Sequence, residues 1–513
     1  METFYVTTPI YYVNDAPHIG HAYTTLAADA LARYHRQLGK RVYFLTGTDE
    51  HGQKMQRAAL AQGKTPIQLA DENATSFREL WTRMNISYDD FIRTSEPRHQ
   101  AGVVELFQKV VAAGDIYLGK YEGWYCTPDE TYHTELDLVN GNCPMCGRPV
   151  TWQSEPSYFF RMSKYQERLL QHLEEHPEFV QPEGRRHEIV SFVARGLDDL
   201  SISRTSFDWG IPVPGAEGHV LYVWVDALTN YLSALGYGQG EHGRFETFWP
   251  ADFHLVGKDI VRHHAVIWPC LLMSAGVPLP RTVFAHGWWT NSGQKMSKSL
   301  NNFIRPDEVI ERYGLEAFRY FVLREIPFGL DGDFSFETLK QRINSDLAND
   351  LGNLLARTAG MAGKYVDGVI PAPGPLEQVD RELIAAVEEM TGEVHRAYNE
   401  CAFHKALIAI WAAIGKANKY IDVTRPFSLA KEESQRERLG TVLYNLAELL
   451  RIVAILIAPV MPVTADRMWE QIGADGKPAD PPLKPRVAWG GLKPGTKMVK
   501  GASLFPRLEE EKK

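Results

Sequence analysis

The N-terminal segment most constrains the fold, because it passes from a β-prone run through a turn into a helical pattern. Phe4 to Thr8 is typical of a buried strand, and Gly20 to Leu38 has the apolar spacing of a helix. A second strand is predicted from Arg41 to Leu45. This alternation predicts an α/β fold with a doubly wound parallel sheet, in which ligands bind outside the carboxyl ends of the strands.

Two histidines lie where the predicted helix begins. His18 and His21 are placed on its first turn, where backbone N–H groups are unpaired and the helix dipole is positive. Two imidazoles three positions apart can donate to the same phosphate. A helix start with two solvated histidines explains the same residues, and these positions alone leave both explanations open.

A second basic motif lies far downstream, in a loop rich in Gly, Asn and Ser. Lys295-Met-Ser-Lys298-Ser follows a strand-like run from Thr282 to His286. Together with His-Ile-Gly-His at 18–21, it resembles the paired motifs of class I aminoacyl-tRNA synthetases, which bind the phosphates of ATP. Either motif alone is weak evidence, whereas both motifs in this order, each after a predicted strand, indicate the family.

Length and composition fit an ordinary globular protein. The chain has 513 residues and a net charge of −9, so we expect two to four domains and no overall attraction to nucleic acid. Five cysteines are too few for a disulfide framework in a chain of this length, which favours a reducing cytoplasm. No leader precedes the first strand, and the apolar run Leu446 to Met461 contains charges and ends in prolines. We therefore expect a cytoplasmic protein with a buried helix there rather than a membrane span.

Changes in character along the chain predict five segments. Aromatic residues, turns and cysteines replace the strand–helix alternation near Ile116, the alternation returns near Val220, and helical spacing dominates after the Lys295 loop. The expected segments are 1–115 and 216–290 (two halves of a Rossmann-like domain), 116–215 (a connective insertion), 291–348 (the lysine loop and stem-contact region) and 349–513 (a helical bundle and tail).

The insertion contains a pattern typical of half a zinc knuckle. Cys143 and Cys146 form a Cys-x2-Cys turn, and upstream of them lie Cys126 and Asp129 in place of a second cysteine pair. Three thiolates and one carboxylate can bind Zn²⁺. The alternative is a knuckle that has lost its metal and is held by apolar packing.

The resemblance narrows to the methionyl-tRNA synthetases along nearly the whole chain. The motifs that carry it are Pro9-Ile-Tyr-Tyr12, Gly47-Thr-Asp-Glu-His-Gly52, Ser201-Ile-Ser-Arg204, Tyr222-Val-Trp-Val-Asp-Ala227, Gly257-Lys-Asp-Ile260 with His264, and the Lys295 motif. The resemblance implies that methionine binds to Ile10, Tyr12, Trp224, Ala227, Leu228, Tyr231, Ile260 and His264, and that Asp49, paired with Arg204, holds its ammonium group. Aromatic walls suit a polarisable thioether. Without the resemblance, core packing would explain the aromatic residues and a helix N-cap would explain Asp49.

The same resemblance assigns the nucleotide site. The expected ATP-binding residues are His18, Gly20, His21, Gly257, Asp259, His286, Gly287, Lys295, Ser297 and Lys298, with Mg²⁺ bridging phosphates. His18, His21, Lys295 and Lys298 are the candidate catalytic groups, because stabilising charge on the phosphates is the main task in adenylate formation.

In the family, an Asn-x3-Arg pair on the first helix of the bundle reads the anticodon. Asn353 and Arg357 match it, since residues four apart share a helix face. The family commonly has a tryptophan after a proline to stack on a base, and this chain has Pro426-Phe427 instead. The implied partners are tRNA(Met), methionine and ATP. Because the chain ends at Lys513 soon after the bundle, we expect a monomer.

Two other functions fit part of the pattern. A small-molecule nucleotidyltransferase could share the histidine motif, and a catalytically silent tRNA-binding paralogue could share the fold. The first has no need of the helical bundle, and the second has no need of both phosphate motifs.

Overall fold

The computed structural model describes residues 2–13, 17–128, 131–240, 243–291, 293–296 and 302–509, without the side chains of Tyr132 and Lys295. It divides into two compact units. The sheet unit comprises Thr3–Pro17 and Tyr43–His286, and the helical unit comprises Met1–Glu2, His18–Val42 and Gly287–Lys513. The five boundaries expected from the sequence remain a prediction.

A seven-stranded sheet forms the centre of the sheet unit. In spatial order its strands are Tyr11–Tyr12, Arg41–Asp49, Thr3–Thr7, Phe253–Gly257, Thr282–His286 and Val180–Gln181, with Asp90–Arg93 also paired to Arg41–Asp49. Its described pairings are parallel. The chain extends the sheet to one side of Thr3–Thr7 and later returns to its other side, which creates the switch point where ligands of such folds bind. The predicted Rossmann-like fold is confirmed.

Two expectations about the strands were wrong in detail. The second strand, predicted to end at Leu45, runs to Asp49. The segment near Val220 adds no strand to the parallel sheet: Val220–Leu221 pairs antiparallel with Ser203–Arg204, and the next residues form the helix Val223–Leu228. A short apolar run does not distinguish a buried strand from a buried helix, and most of this helix is buried.

The insertion folds as a separate antiparallel sheet. Its strands, in order, are Thr131–His133, Ile116–Cys126, Thr151–Phe160 and Leu200–Ser201. The long central pair runs from Ile116 opposite Phe160 to Tyr125 opposite Thr151, so it places Cys126 at the far end of the hairpin. The helices of the sheet unit are Gln53–Ala61, Pro66–Arg83, Pro97–Ala112, Gln166–Glu175, Glu183–Ala194, Val223–Leu228, Asn230–Ser233, Gly243–Phe248 and Trp268–Ala275, with a π-helical segment at His263–Ile267.

The helical unit contains the predicted bundle. Its helices are Ile19–Gln37, Pro306–Tyr313, Leu315–Arg324, Phe336–Arg342, Asn353–Tyr365, Gln378–Asn399, Phe403–Thr424, Pro426–Leu429, Arg436–Ile457, Pro462–Ile472 and Leu483–Arg486. A π-helical segment, Ile343–Gly352, leads directly into Asn353–Tyr365. A small sheet of Trp289–Asn291, Gln294–Lys295 and Gly332–Phe334 precedes the bundle.

The most apolar helix lies in the core of this unit. By length and composition the segment Glu433–Ile457 could cross a membrane, but its apolar window is wholly buried in the structure. Glu448 and Arg451 on this helix form a paired contact, with Nε–Oε2 and Nη2–Oε1 distances of 2.7 Å each. Backbone N–H groups of 490–492 also donate to Glu448, so the buried charges are satisfied. The expectation of a buried helix is confirmed.

Candidate functional site

The two histidines of the N-terminal motif cap the helix Ile19–Gln37 in the helical unit. His18 is the N-cap rather than a residue of the first turn, and its Nδ1 accepts a hydrogen bond from Gly20 N at 3.1 Å. His21 Nδ1 accepts one from His18 N at 3.2 Å. The rings stack with centroids 3.9 Å apart, and the ring of Phe303 stacks on His18 at 5.1 Å.

These hydrogen bonds fix the form of both imidazoles. A ring nitrogen that accepts a backbone N–H carries no proton, so both rings hold their proton on Nε2. Burial, followed by the nearby His18, lowers the pKa of His21 well below its ordinary value. The pair is therefore built to donate hydrogen bonds from neutral rings at the start of a helix. Gly20 fits this turn closely, since a Cβ there would lie 2.9 Å from Cε1 of His18.

The lysine motif begins at the end of the small sheet in the same unit. The backbone of Lys295 pairs with Thr290 in the antiparallel strand. Ser297 and Lys298 lie outside the described residues, as does the side chain of Lys295. At the start of this segment Gly287 packs tightly, because a Cβ there would lie 2.2 Å from the carbonyl of Leu330. The roles assigned to the lysines remain predictions.

Four predicted site residues lie at the carboxyl ends of strands in the sheet unit. Tyr12 lies opposite Asp49, and Gly257 lies opposite His286 in the adjacent pair of strands. Asp259 lies two positions after Gly257, and the two residues pack closely, because a Cβ at Gly257 would lie 2.5 Å from Oδ1 of Asp259. This edge of a parallel sheet is where its ligands bind.

The residues predicted for methionine surround an aromatic cluster in the sheet unit. Tyr231 Oη lies 2.7 Å from His264 Nε2, and His264 Nδ1 lies 3.0 Å from the carbonyl oxygen of Ile260. The ring of Trp224 meets His264 edge-on at 6.2 Å. Of the other residues predicted for methionine, Ile10, Tyr12, Leu228 and Ile260 pack on the hydrophobic core of this unit, and Ala227 is buried.

Burial keeps the imidazoles of this cluster neutral. It lowers the pKa of His264 to about 4 and that of His263 to about 3, with the neighbouring His264 adding to the effect on His263. A neutral His264 that donates from Nδ1 to Ile260 accepts at Nε2 from the Tyr231 hydroxyl. His263 stacks on Trp224 with centroids 3.6 Å apart. Both histidines belong to the π-helical segment His263–Ile267, a distortion frequent at functional sites.

The two residues after Asp49 are fixed by buried charged contacts. Glu50 Oε1 accepts from Arg93 Nε at 2.6 Å and from Thr48 Oγ1 at 2.7 Å. His51 Nδ1 lies 2.6 Å from Asp226 Oδ2. These contacts anchor the strand end that presents Asp49.

Asp226 joins this strand end to a second histidine. Its Oδ1 lies 2.7 Å from His99 Nε2, and His99 Nδ1 lies 2.9 Å from Ser233 Oγ. Asp226 and His99 are completely buried. Burial raises the pKa of Asp226, but the charge of His51 and hydrogen bonds from both histidines outweigh it and lower the pKa to about 2. Because Asp226 lies between Trp224 and Ala227, this network connects two parts of the candidate methionine site.

Arg204 is held beside the same region. Its Nη1 donates to the carbonyl oxygen of Ser203 at 2.7 Å and to Ser201 Oγ at 3.0 Å, and its guanidinium lies over the ring of Tyr222 at 4.3 Å. It is 2% exposed. The expected pairing of Arg204 with Asp49 at an ammonium group remains a prediction.

The three cysteines of the insertion converge. The sulfur atoms of Cys126, Cys143 and Cys146 lie within 4.8 Å of one another, and those of Cys126 and Cys146 are 3.5 Å apart. Tetrahedral Zn²⁺ with bonds of about 2.3 Å separates thiolate sulfurs by about 3.8 Å, so this arrangement fits the ion. Asp129, the expected fourth ligand, lies outside the described residues. The motif analysis of the cysteines did not include His133, but its Nε2 lies 3.3 Å from Cys143 Sγ.

Three of the four residues predicted to read RNA line one open groove of about 450 Å³ in the helical unit. Asn353 and Arg357 line it from the helix Asn353–Tyr365, and Phe427 lines it from the helix Pro426–Leu429. Phe427 is 46% exposed, because Arg425 turns the chain in the left-handed conformation at φ 48° and Pro426 starts a short helix. Pro426 is buried and is not among the residues that line the groove.

The structure adds residues to these sites that the sequence motifs did not indicate. Four of them could have been predicted from the sequence. His51 and Asp226 belong to motifs named above, and Lys364 and Tyr365 follow Arg357 at helical spacing. Lys500, which also lines the groove, and His99 carry no local pattern that singles them out.

Comparisons with known proteins match this chain from end to end. A family model described as "tRNA synthetases class I (M)" matches residues 4–151 and 136–359, and one described as "Anticodon-binding domain of tRNA ligase" matches 380–485. The chain is 54% identical over 511 residues to a methionine–tRNA ligase of Caldanaerobacter subterraneus, covering 100% of this chain and 80% of that protein. It is 50% identical to the methionine–tRNA ligase of Bacillus subtilis, covering 99% of this chain and 78% of that protein.

Solved structures of known proteins also match this chain. The chain is similar to Mycobacterium tuberculosis methionyl-tRNA synthetase in complex with methionyl-adenylate, with a TM-score of 0.94 and 47% identity over 99% of this chain and 100% of the other. For the apo form of that enzyme the TM-score is 0.88, with 43% identity over 100% of this chain and 99% of the other.

Proposed function

The chain belongs to the methionyl-tRNA synthetases, a class I family, and from this premise we propose that it activates L-methionine with ATP and then charges tRNA(Met). The family match spans the whole chain, and the observation that carries the specificity is the neutral Tyr231–His264 pair within an aromatic core. Each step of the reaction has residues of suitable chemistry.

The methionine side chain is proposed to lie against Trp224, Tyr231 and His264, with Ile10, Tyr12, Ala227, Leu228 and Ile260 around them. A thioether is polarisable and a weak hydrogen-bond acceptor, so it gains from ring faces and little from a charged donor. Neutral His264 suits it, because a buried imidazolium would leave a charge that the ligand cannot compensate.

Asp49 is proposed to bind the ammonium group, with Arg204 as its partner. The anchored side chains of Glu50 and His51 support this role, because a carboxylate on a fixed strand end loses little freedom when it binds a cation. An N-capping role for Asp49 finds no support, since the helix Gln53–Ala61 starts after Gly52 as its N-cap.

ATP is proposed to bind through both motifs and the strand ends. His18 and His21 would donate from Nε2 to phosphate oxygens, and Lys295 and Lys298 would add positive charge, with Gly20, Gly257, Asp259, His286, Gly287 and Ser297 completing the site. The methionine carboxylate attacks the α-phosphorus as the bond to the bridging oxygen breaks and pyrophosphate leaves. Donors and cations that stabilise the growing phosphate charge lower this barrier. Mg²⁺ accompanies ATP as its counter-ion.

In the second step, the terminal ribose 2′-hydroxyl of tRNA attacks the methionyl carbonyl, and AMP leaves. Asn353, Arg357 and Phe427 are proposed to bind the anticodon, with Pro426 holding Phe427 at the groove. A phenylalanine ring can stack on a base although it lacks the N–H of tryptophan.

Zn²⁺ is proposed to bind to Cys126, Cys143 and Cys146, with Asp129 as fourth ligand. It would supply structure to the end of the hairpin and take no part in the reaction. The monomeric state, the cytoplasmic location and the five segment boundaries complete the proposal.

Charging of a tRNA(Met) transcript with labelled methionine tests the function. We expect charging that depends on ATP and falls when the anticodon of the transcript is replaced. Equal charging of both transcripts would contradict anticodon reading, and no charging of either would contradict the proposed function.

A further inference from the structure

The groove around Asn353, Arg357 and Phe427 has basic and aromatic residues that the family resemblance does not assign. Lys364, Tyr365 and Lys500 line it together with those three residues. The chain as a whole carries a net charge of −9, yet Arg357, Lys364 and Lys500 place three cations on this groove, and no acidic residue occurs among the described residues that line it.

The helix Asn353–Tyr365 presents Arg357, Lys364 and Tyr365 on one face. Lys364 follows Arg357 by seven positions, which is two helical turns, and Tyr365 ends the helix. The Lys364 ammonium lies over the Tyr365 ring, 5.3 Å from its centre, so the charge and the ring belong to one local surface. The contact of Arg357 with Asp422, at 3.3 Å, is exposed, so an anionic ligand can replace it at little cost.

Lys500 belongs to the C-terminal tail, and the backbone on both sides of it is fastened to the bundle. Val499 N donates to the carbonyl oxygen of Gln471 at 2.8 Å, and Gly501 N donates to Gln471 Oε1 at 3.0 Å. The preceding residue, Met498, donates from N to Gly368 O at 2.8 Å, just beyond the end of the helix that carries Tyr365. The tail therefore holds the stem of Lys500 at the groove.

We propose that Lys364, Tyr365 and Lys500 form a second binding surface of this groove, in which Tyr365 stacks on an unpaired base of the anticodon loop and the two lysines bind neighbouring phosphates. Single-stranded RNA is bound by aromatic rings that stack successive bases and by cations that follow the backbone. Tyr365 adds a second ring to that of Phe427. The inference rests on the proposed charging of tRNA and extends it.

Binding of the tRNA(Met) transcript, measured at several salt concentrations, tests this surface. Each lost phosphate contact on a single strand reduces the slope of log affinity against log salt by about 0.7. Lys364→Ala and Lys500→Ala should each weaken binding and show this smaller slope. Lys416→Ala is the matched control, because Lys416 is an exposed lysine of the same unit that does not line the groove.

The proposed stacking of Tyr365 is tested by one substitution that removes its aromatic ring and one that keeps it. Tyr365→Leu should weaken binding about 5- to 150-fold, the effect of losing one stacked base, with an unchanged salt slope. Tyr365→Phe keeps the ring and should bind like the wild type. Methionine-dependent pyrophosphate exchange should stay unchanged in all of these variants, which separates a binding defect from unfolding.

Two results would overturn the surface: lysine variants with the wild-type slope, or a leucine variant with wild-type affinity. The lysine variants alter exposed side chains, so they report on the surface even if Tyr365→Leu is unstable. If the wild-type protein charges the transcript while these variants behave like Lys416→Ala, only this inference fails. If the wild-type protein does not charge it, the proposed function fails.

Discussion

Replacing Asp226 by Asn tests the buried network that connects the candidate methionine site. The carboxylate of Asp226 contacts His51 at 2.6 Å and His99 at 2.7 Å, and an asparagine has only one acceptor oxygen to offer them. One buried ring N–H therefore loses its acceptor, and the other keeps a neutral bond in place of a charged one. At about 1.5 to 3 kcal/mol per charge-assisted bond, Asp226→Asn should destabilise the fold by about 3 to 5 kcal/mol.

The pH dependence of this loss has a definite direction. The pKa of Asp226 is lowered from 3.8 to about 2, so its contribution is complete above 3.8 and is lost as the pH falls through 2. Burial lowers the pKa of His51, but Asp226 and Glu50 outweigh burial and raise the pKa above 6.5, so its contribution is complete below 6.5 and is lost as the pH rises through the folded value. The difference between wild type and variant should be greatest between pH 3.8 and 6.5.

Urea unfolding followed by tryptophan fluorescence, across this pH range, measures the effect. Asp208→Asn is the control, because Asp208 is exposed in the same unit and accepts from Gln56, which an asparagine oxygen also allows. In conditions where the Asp226 variant is folded, its KM for methionine should rise more than its kcat falls, since the network positions groups that bind methionine. A loss of stability below about 1 kcal/mol, or one independent of pH, would refute the ionised network.

Three further outcomes follow from the proposed sites. Lys298→Ala should lower methionine-dependent pyrophosphate exchange by about 100-fold or more without changing methionine binding, and unaltered exchange would remove this lysine from the chemistry. Phe427→Ala should weaken tRNA charging and spare exchange, whereas equal loss in both assays would indicate misfolding. Cys143→Ser should reduce bound zinc, measured by metal analysis, well below one ion per chain; a wild-type protein that folds without zinc would end the metal assignment.

The fold could be predicted where the local sequence pattern of a strand or helix is clear. The N-terminal strand and helix and the buried helix near Leu446 followed from their runs of apolar residues and the spacing of those residues. The run from Val220 was misassigned because a short apolar segment has no clear period. The edge strand Val180–Gln181 has only two residues, which is too short for any pattern.

The residues of the candidate sites also fall into two groups, those within a sequence motif and those connected only by contacts in the fold. The sequence motifs predicted His264, Asn353 and Phe427, whose roles stay predictions; the structure brings His264 beside Tyr231 and places Asn353 and Phe427 on one groove. Contacts between distant segments were invisible, since nothing in the sequence connects His99 to Asp226 or Lys500 to the helix of Arg357. The tautomers of His18 and His21 also depend on backbone geometry, which residue types do not specify.

A panel of amino acids in the pyrophosphate exchange assay tests the central claim most directly. Because a hydrophobic pocket gains about 1 to 3 kcal/mol per methylene, methionine should support exchange at least about tenfold better than leucine or isoleucine, and no exchange should occur without an amino acid. Exchange without any amino acid would instead indicate a nucleotidyltransferase, and absence of exchange with every standard amino acid would indicate a silent paralogue. Either result would contradict methionine activation by this chain.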